Sequence, residues 1–154
     1  MPNAVDRRQV LLGAGGIGLA AITAALLPAQ TLADTAAANE TISKLIDGAT
    51  PKTGKVTLKL PQIAENGNTV QFSVKVDSPM SDTDYVKAVH VVAEGNPAPE
   101  VASYFFTSDS GKAEITARMR LGKTQTIRAV AVMNNGAVYE AREEVKVTIG
   151  GCGG

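Results

Sequence analysis

Residues 69–76 read Thr-Val-Gln-Phe-Ser-Val-Lys-Val. Val70, Phe72, Val74 and Val76 alternate with Thr69, Gln71, Ser73 and Lys75. A period of two puts the apolar side chains on one face of an extended strand and the polar ones on the other. The same period recurs on both sides of this stretch. Val56, Leu58 and Leu60 alternate with Lys55, Thr57 and Lys59. Ala113, Ile115, Ala117 and Met119 alternate with Lys112, Glu114, Thr116 and Arg118. Tyr139, Ala141, Val145 and Val147 stand opposite Glu140, Arg142, Glu144 and Lys146. Each pattern is that of a strand with one face in a core and one in water.

Turn residues separate these runs: Glu-Asn-Gly-Asn at 65–68, Asp-Ser-Gly at 109–111 and Asn-Asn-Gly at 134–136. The last lies between the apolar residues 129–132 and Val138-Tyr139, which predicts a hairpin. About seven short strands in roughly 100 residues, with no helix between them, predict an all-β fold, an immunoglobulin-like antiparallel β-sandwich. Before the strands, residues 39–47 predict one short helix. Ile42, Leu45 and Ile46 make its apolar stripe, Asn39 is its candidate cap, and Gly48 with Pro51 ends it.

Three stretches are apolar on both faces: VKAVHVVA at 86–93, VASYFF at 101–106 and AVAVM at 129–133. A sandwich strand has one inner face, so the other needs a cover. The helix and loops could supply it, or a partner subunit could. The small size of the domain leaves little chain for the purpose and favours the partner.

The first 33 residues predict an export segment and not fold. Arg7 and Arg8 precede a Gly- and Ala-rich apolar run from residue 10 to 27, followed by Pro28 and the small-residue stretch Thr31-Leu32-Ala33. This is the layout of a bacterial secretory signal, and the paired arginines make it similar to a twin-arginine signal, hence a periplasmic location. A membrane anchor is the alternative, but Gly13, Gly15, Gly16 and Gly18 weaken the run as a spanning helix. Three parts are therefore expected: residues 1–33 removed on export, 34–149 as a sandwich with its helix, and 150–154 as a tail. The whole chain balances 15 basic against 15 acidic residues, and loss of Asp6, Arg7 and Arg8 leaves a net charge of about −1. That is no footprint for nucleic acid or anionic lipid.

Inventory excludes most chemistries. The single histidine, His90, lies inside an apolar strand and is expected to be buried with a satisfied ring nitrogen. One histidine and one cysteine cannot build a four-ligand zinc site. No Cys-x-x-Cys pair, haem motif or phosphate loop is present, and Glu143 and Glu144 point to opposite faces of a strand. No catalytic group, metal or cofactor is expected.

The remaining feature is the tail, Gly150-Gly151-Cys152-Gly153-Gly154. An odd cysteine in an exported protein points to intermolecular pairing or a free reactive thiol. Four glycines carry no side chain to pack, so the thiol is expected to be displayed on a flexible arm. From Ile149 the sulfur would sweep a radius of about 10 Å at roughly 3.3–3.6 Å per extended residue. No basic residue lies in the tail, and the terminal carboxylate two residues on disfavours the thiolate. Activation would then have to come from a partner's pocket.

The twin arginines, the β-sandwich and the terminal Gly-Gly-Cys-Gly-Gly resemble the SoxY family, the sulfur-carrier subunits of the bacterial thiosulfate-oxidising system. The resemblance implies a heterodimer with SoxZ, and covalent attachment of thiosulfate to Cys152 by the haem enzyme SoxXA as a cysteine S-thiosulfonate. It further implies release of sulfate by SoxB and oxidation of the remaining sulfur by SoxCD. Gly150, Gly151, Gly153 and Gly154 would be the arm, and the subunit itself would be non-catalytic. Read without the resemblance, the same residues also allow an assembly module using Cys152 for an intermolecular disulfide, or metal delivery with the thiolate as a soft ligand.

Overall fold

The computed structural model describes residues 29–151. The export segment therefore lies outside the described residues except for its last five, and Cys152, Gly153 and Gly154 lie outside them entirely. Among the described residues are one α-helix, α1 (Ala29–Leu45), and nine strands. The strands are β1 (Lys52–Thr53), β2 (Val56–Lys59), β3 (Ile63–Asn66), β4 (Val70–Val76), β5 (Val86–Ala93), β6 (Glu100–Phe105), β7 (Ala113–Met119), β8 (Gln125–Met133) and β9 (Val138–Ile149).

Two sheets form the expected sandwich. One runs β2-β4-β7 and is antiparallel; the other runs β1-β9-β8-β5-β6, with β3 also paired to β9. The alternation of residues 69–76 reads directly into β4: Val70, Phe72, Val74 and Val76 are buried. In register, Val70 faces Met119 and Val74 faces Ile115 on β7. From the other sheet Val89, Val91, Ile127, Ala129 and Ala131 complete the core. Burying each large aliphatic or aromatic side chain contributes about 1.5–3 kcal/mol. The Asn-Asn-Gly hairpin forms between β8 and β9, with Gly136 at φ 82° and its amide donating to the Met133 carbonyl at 3.0 Å.

The structure departs from the sequence expectation at three places. First, β1 and β3 pair with β9 in parallel, Lys52 opposite Tyr139 and Asn66 opposite Ile149. Both are too short, at two and four residues, to leave a periodic signal.

Second, α1 already runs through Ala29, the first described residue, ten residues before Asn39, and includes the last five residues assigned to the export segment. Its early turns are alanine-rich, which favours helix without marking a face. Asn39 is therefore not a cap; its Oδ1 accepts a hydrogen bond from Arg128 Nη1 at 2.6 Å. The helix does end just before Gly48, at Leu45, and the turn that closes it has Asp47 and Gly48 at positive φ, the Gly48 amide donating back to the Ser43 carbonyl at 2.8 Å.

Third, the helix is the cover for the second apolar face. Ala38, Ile42 and Ile46 pack on Val92, Val130 and Val138 in a second buried cluster on the outside of the larger sheet. The partner favoured on size alone is not needed there. The cover stops short of β6, where Phe105 remains 76% exposed. It borders a groove of about 570 Å³ lined by Leu45, Ile46, Ala88, His90, Phe105 and Val132.

Under the helix lies a charged group that local patterning does not reveal. Arg128 is 3% exposed; its Nε donates to Glu140 and its Nη1 reaches Glu94 at 3.5 Å as well as Asn39. Glu140 is also held by Arg142 at 3.0 Å. The four residues come from α1, the turn directly after β5, β8 and β9, so only the fold assembles them.

Candidate functional site

The tail leaves the body where three backbone segments meet. These are the turn after β3 (residues 66–68), the segment after β7 (residues 120–122) and the end of β9 (residues 149–151). The Gly67 amide donates to the Ile149 carbonyl at 2.7 Å, the Leu121 amide to the Gly67 carbonyl at 2.8 Å, and the Gly151 amide to the Leu121 carbonyl at 2.9 Å. Each segment is thus bonded to the other two.

The approach is close enough to require glycine. A Cβ on Gly67 would lie 2.2 Å from the Leu121 carbonyl oxygen and 2.9 Å from the Gly151 nitrogen. A Cβ on Gly150 would lie 2.2 Å from the Gly122 carbonyl oxygen. A Cβ on Gly151 would meet the Arg120 Cγ at 2.7 Å and the Asn68 Oδ1 at 3.1 Å. Gly67, Leu121 and Gly151 are buried.

Side chains fix the segments from behind. Asn66 Oδ1 accepts from the Asn68 amide at 2.9 Å and shapes the turn. Asn96 Nδ2 donates to the Arg120 carbonyl at 2.9 Å, and its Oδ1 accepts from Gln125 Nε2 at 2.9 Å. Lys123, next in the same segment, pairs with Asp34 of α1 at 2.6 Å.

This geometry changes the expectation for the tail in one respect. Gly150 and Gly151 were expected to belong to the flexible arm; Gly151 is buried and bonded to the body, Gly150 is exposed but passes close to the Gly122 carbonyl, and glycine is needed at both for close approach. Cys152, Gly153 and Gly154 follow them outside the described residues. The sequence also offered no cation near the arm, since none lies within the tail. Folding brings the stem of Arg120 against Gly151, and no carboxylate among the described residues pairs with its guanidinium. The signal that could have located this site is Gly67 in Glu-Asn-Gly-Asn, which was read only as a turn.

His90 is far from being a nucleophile's base. It is 4% exposed. Its Nδ1 lies 2.7 Å from Ser103 Oγ, and that hydroxyl donates to Glu100 at 2.6 Å. With the hydroxyl proton committed to Glu100, Nδ1 must be the donor. A Ser-His-acid triad needs the hydroxyl to donate to the imidazole, the reverse of this order. Phe105 stacks edge-on at 6.2 Å.

Burial lowers the His90 pKa below its ordinary value, and Glu100 opposes this in part. A histidine whose folded pKa is depressed favours the folded state above its unfolded pKa of about 6.5, and that contribution is lost as the pH falls through the folded value. Thermal unfolding of the wild type and of His90→Gln followed from pH 8 to 4.5 should show a wild-type decline below about pH 6.5 that is smaller in the variant. Parallel curves would remove His90 as the source.

Among the described residues, no three His, Cys, Asp or Glu side chains are placed to hold a metal ion. No described helix is long and apolar enough to cross a membrane.

Comparison with solved structures places the fold. The sulfur carrier protein SoxY from Chlorobium limicola f thiosulfatophilum matches with a TM-score of 0.65 at 24% identity, over 77% of this chain and 98% of that one. The superoxide reductase (neelaredoxin) from Ignicoccus hospitalis matches at 0.55 and 21% identity, over 62% and 81% of the two chains. The superoxide reductase from Nanoarchaeum equitans matches at 0.52 and 12% identity, over 62% and all of that chain. At these identities the likeness is one of fold. A comparison with functionally curated proteins finds no match. The model of the family described as sulfur oxidation protein SoxY matches residues 42–152, from the buried face of α1 through the strands to the tail cysteine. The chain therefore belongs to the SoxY family of sulfur oxidation proteins.

Proposed function

We propose that this protein is an exported covalent carrier of thiosulfate-derived sulfur, with Cys152 as the attachment point. The observation that carries this reading is the position of the chain's one thiol. It follows directly on the anchored Gly151, in a chain of the SoxY family whose matched region ends on that cysteine. A thiol three residues past the last strand, beyond the body's own hydrogen bonds, suits delivery to other proteins.

The loading step balances as a two-electron oxidation. The Cys152 thiol and thiosulfate form a sulfur–sulfur bond, one proton is released, and two electrons pass to a haem partner enzyme of the SoxXA type. Hydrolysis by an enzyme of the SoxB type then cleaves the terminal sulfur–sulfur bond. Water supplies the fourth oxygen of sulfate, two protons leave, and a persulfide stays on Cys152. A SoxCD-type enzyme would oxidise that remaining sulfur. The chain supplies attachment and presentation, and the catalysis belongs to the partners. A heterodimer with a SoxZ-type subunit would cover the groove beside Phe105, and residues 1–33 would direct export to the periplasm.

Mass spectrometry of the protein purified from thiosulfate-grown cells tests the reading. Cys152 is expected to carry thiosulfonate, sulfonate or persulfide adducts. A population containing only free thiol, or only a stable disulfide, would overturn it in favour of an assembly role.

A further inference from the structure

We propose that Gly67 is a positioning residue for the tail thiol: its missing Cβ lets Ile149 and Gly151 bond to the body, so that the tether of Cys152 starts at Gly151 and not at Ile149. The proposal rests on the carrier reading for the thiol's use, while the clamp itself is a matter of backbone geometry. Three amide-to-carbonyl bonds of 2.7–2.9 Å tie residues 67, 121, 149 and 151 together. Such bonds form between segments this close only where no Cβ intervenes, and a Cβ at 67 or 150 would sit 2.2 Å from a backbone carbonyl oxygen. Backbone atoms cannot rotate aside as a side chain can. Leu121, fully buried, roots one side of the clamp in the core, and Asn96 and Gln125 hold that segment from behind.

The consequence is a shorter tether. One Cα–Cα step of about 3.8 Å plus the side chain keeps the sulfur within roughly 6–7 Å of the Gly151 Cα. An enzyme acting on Cys152 must then come up to the end of the body formed by residues 66–68 and 120–124. Arg120, whose stem lies on Gly151, puts a cation on that rim, where it complements the anionic sulfur groups that thiosulfate leaves on the thiol.

Amide hydrogen exchange of the full mature chain tests the clamp directly. In the wild type the Gly151 amide should exchange at least about tenfold more slowly than an unstructured glycine peptide. In Gly67→Ala that protection should be lost while the Val130 amide keeps its own. Gly150→Ala is the second variant: it lies at the chain end, outside the core, so it tests the same clamp where Gly67→Ala fails to fold. Cys152 should react with a small alkylating reagent at the same rate in all three proteins. Loading from thiosulfate by the partner haem enzyme should fall at least about fivefold in kcat/KM in the variants. Gly151 exchanging as a free peptide in the wild type would overturn the proposal, as would loading unchanged within twofold in a variant that has lost the protection. A wild type that keeps its Gly151 protection yet takes up no sulfur would overturn the carrier reading and leave the clamp standing.

Discussion

Replacing Cys152 by serine is expected to abolish thiosulfate-dependent turnover by the reconstituted system while leaving the folded protein unchanged. Serine removes the sulfur but keeps nearly the same size. Its oxygen cannot enter the sulfur–sulfur bond that the proposed carrier role requires, and a hydroxyl is a far weaker nucleophile than a thiolate. Residual activity should be indistinguishable from a reaction without the protein, because no other cysteine exists to substitute. The substitution lies beyond the last clamped residue, so stability should move by no more than about 0.5 kcal/mol, the usual range for changes outside the core. Oxygen uptake with thiosulfate and a denaturation midpoint supply the two readings. Turnover above background in Cys152→Ser would mean that the sulfur is carried elsewhere. Loss of folding would mean that the cysteine is structural.

The largest effect on stability should come from Arg128→Met. Methionine keeps much of the aliphatic stem but leaves Glu140 and Glu94, 9% and 13% exposed in their side chains, without their buried counter-charge. Stranding a buried charge costs about 3–5 kcal/mol, a large part of the roughly 5–15 kcal/mol that holds a domain together. Arg142 remains on Glu140 and softens the loss. The helix should suffer first, because Asn39 loses its bond to Arg128 at the same time. Pairing Arg128→Met with Glu140→Gln should recover part of the stability, since the second change removes the stranded charge. Urea denaturation of the three proteins decides the matter. A single variant within about 1 kcal/mol of the wild type would show that the network is neutral.

The legible parts of the molecule were those with a repeating local pattern. Val70 to Val76 gave the inner face of β4, Asn134-Asn135-Gly136 gave the hairpin, and Gly48 gave the helix end. What remained hidden depends on residues far apart in the chain. Arg128 reads as one charge in an apolar run, and nothing local says that Glu94, Glu140 and Asn39 will meet it. The turns of α1 ahead of Asn39, rich in alanine, favour helix without showing a face, so its extension to Ala29 escaped. The helix as cover for Val92 and Val130 could not be told from a partner, because apolar residues on both faces report that a cover exists and not what it is. At the tail, the cysteine was conspicuous by composition alone. The clamp was not, because Gly67 is useful in a turn for reasons that have nothing to do with Ile149 or Gly151.

The two short parallel strands have a consequence for how this protein behaves in a crowded compartment. β9 is twelve residues long, and without β1 and β3 it would present a continuous row of unpaired backbone groups, a template on which another chain could add itself as a strand. β1 occupies the positions of Tyr139 and Glu140, and β3 those from Lys146 to Ile149. The interval between them carries Arg142, Glu143 and Glu144, all exposed, and charge there discourages an incoming strand. A segment too short to show in the sequence pattern thus protects the molecule against fibre-like self-addition along its longest strand.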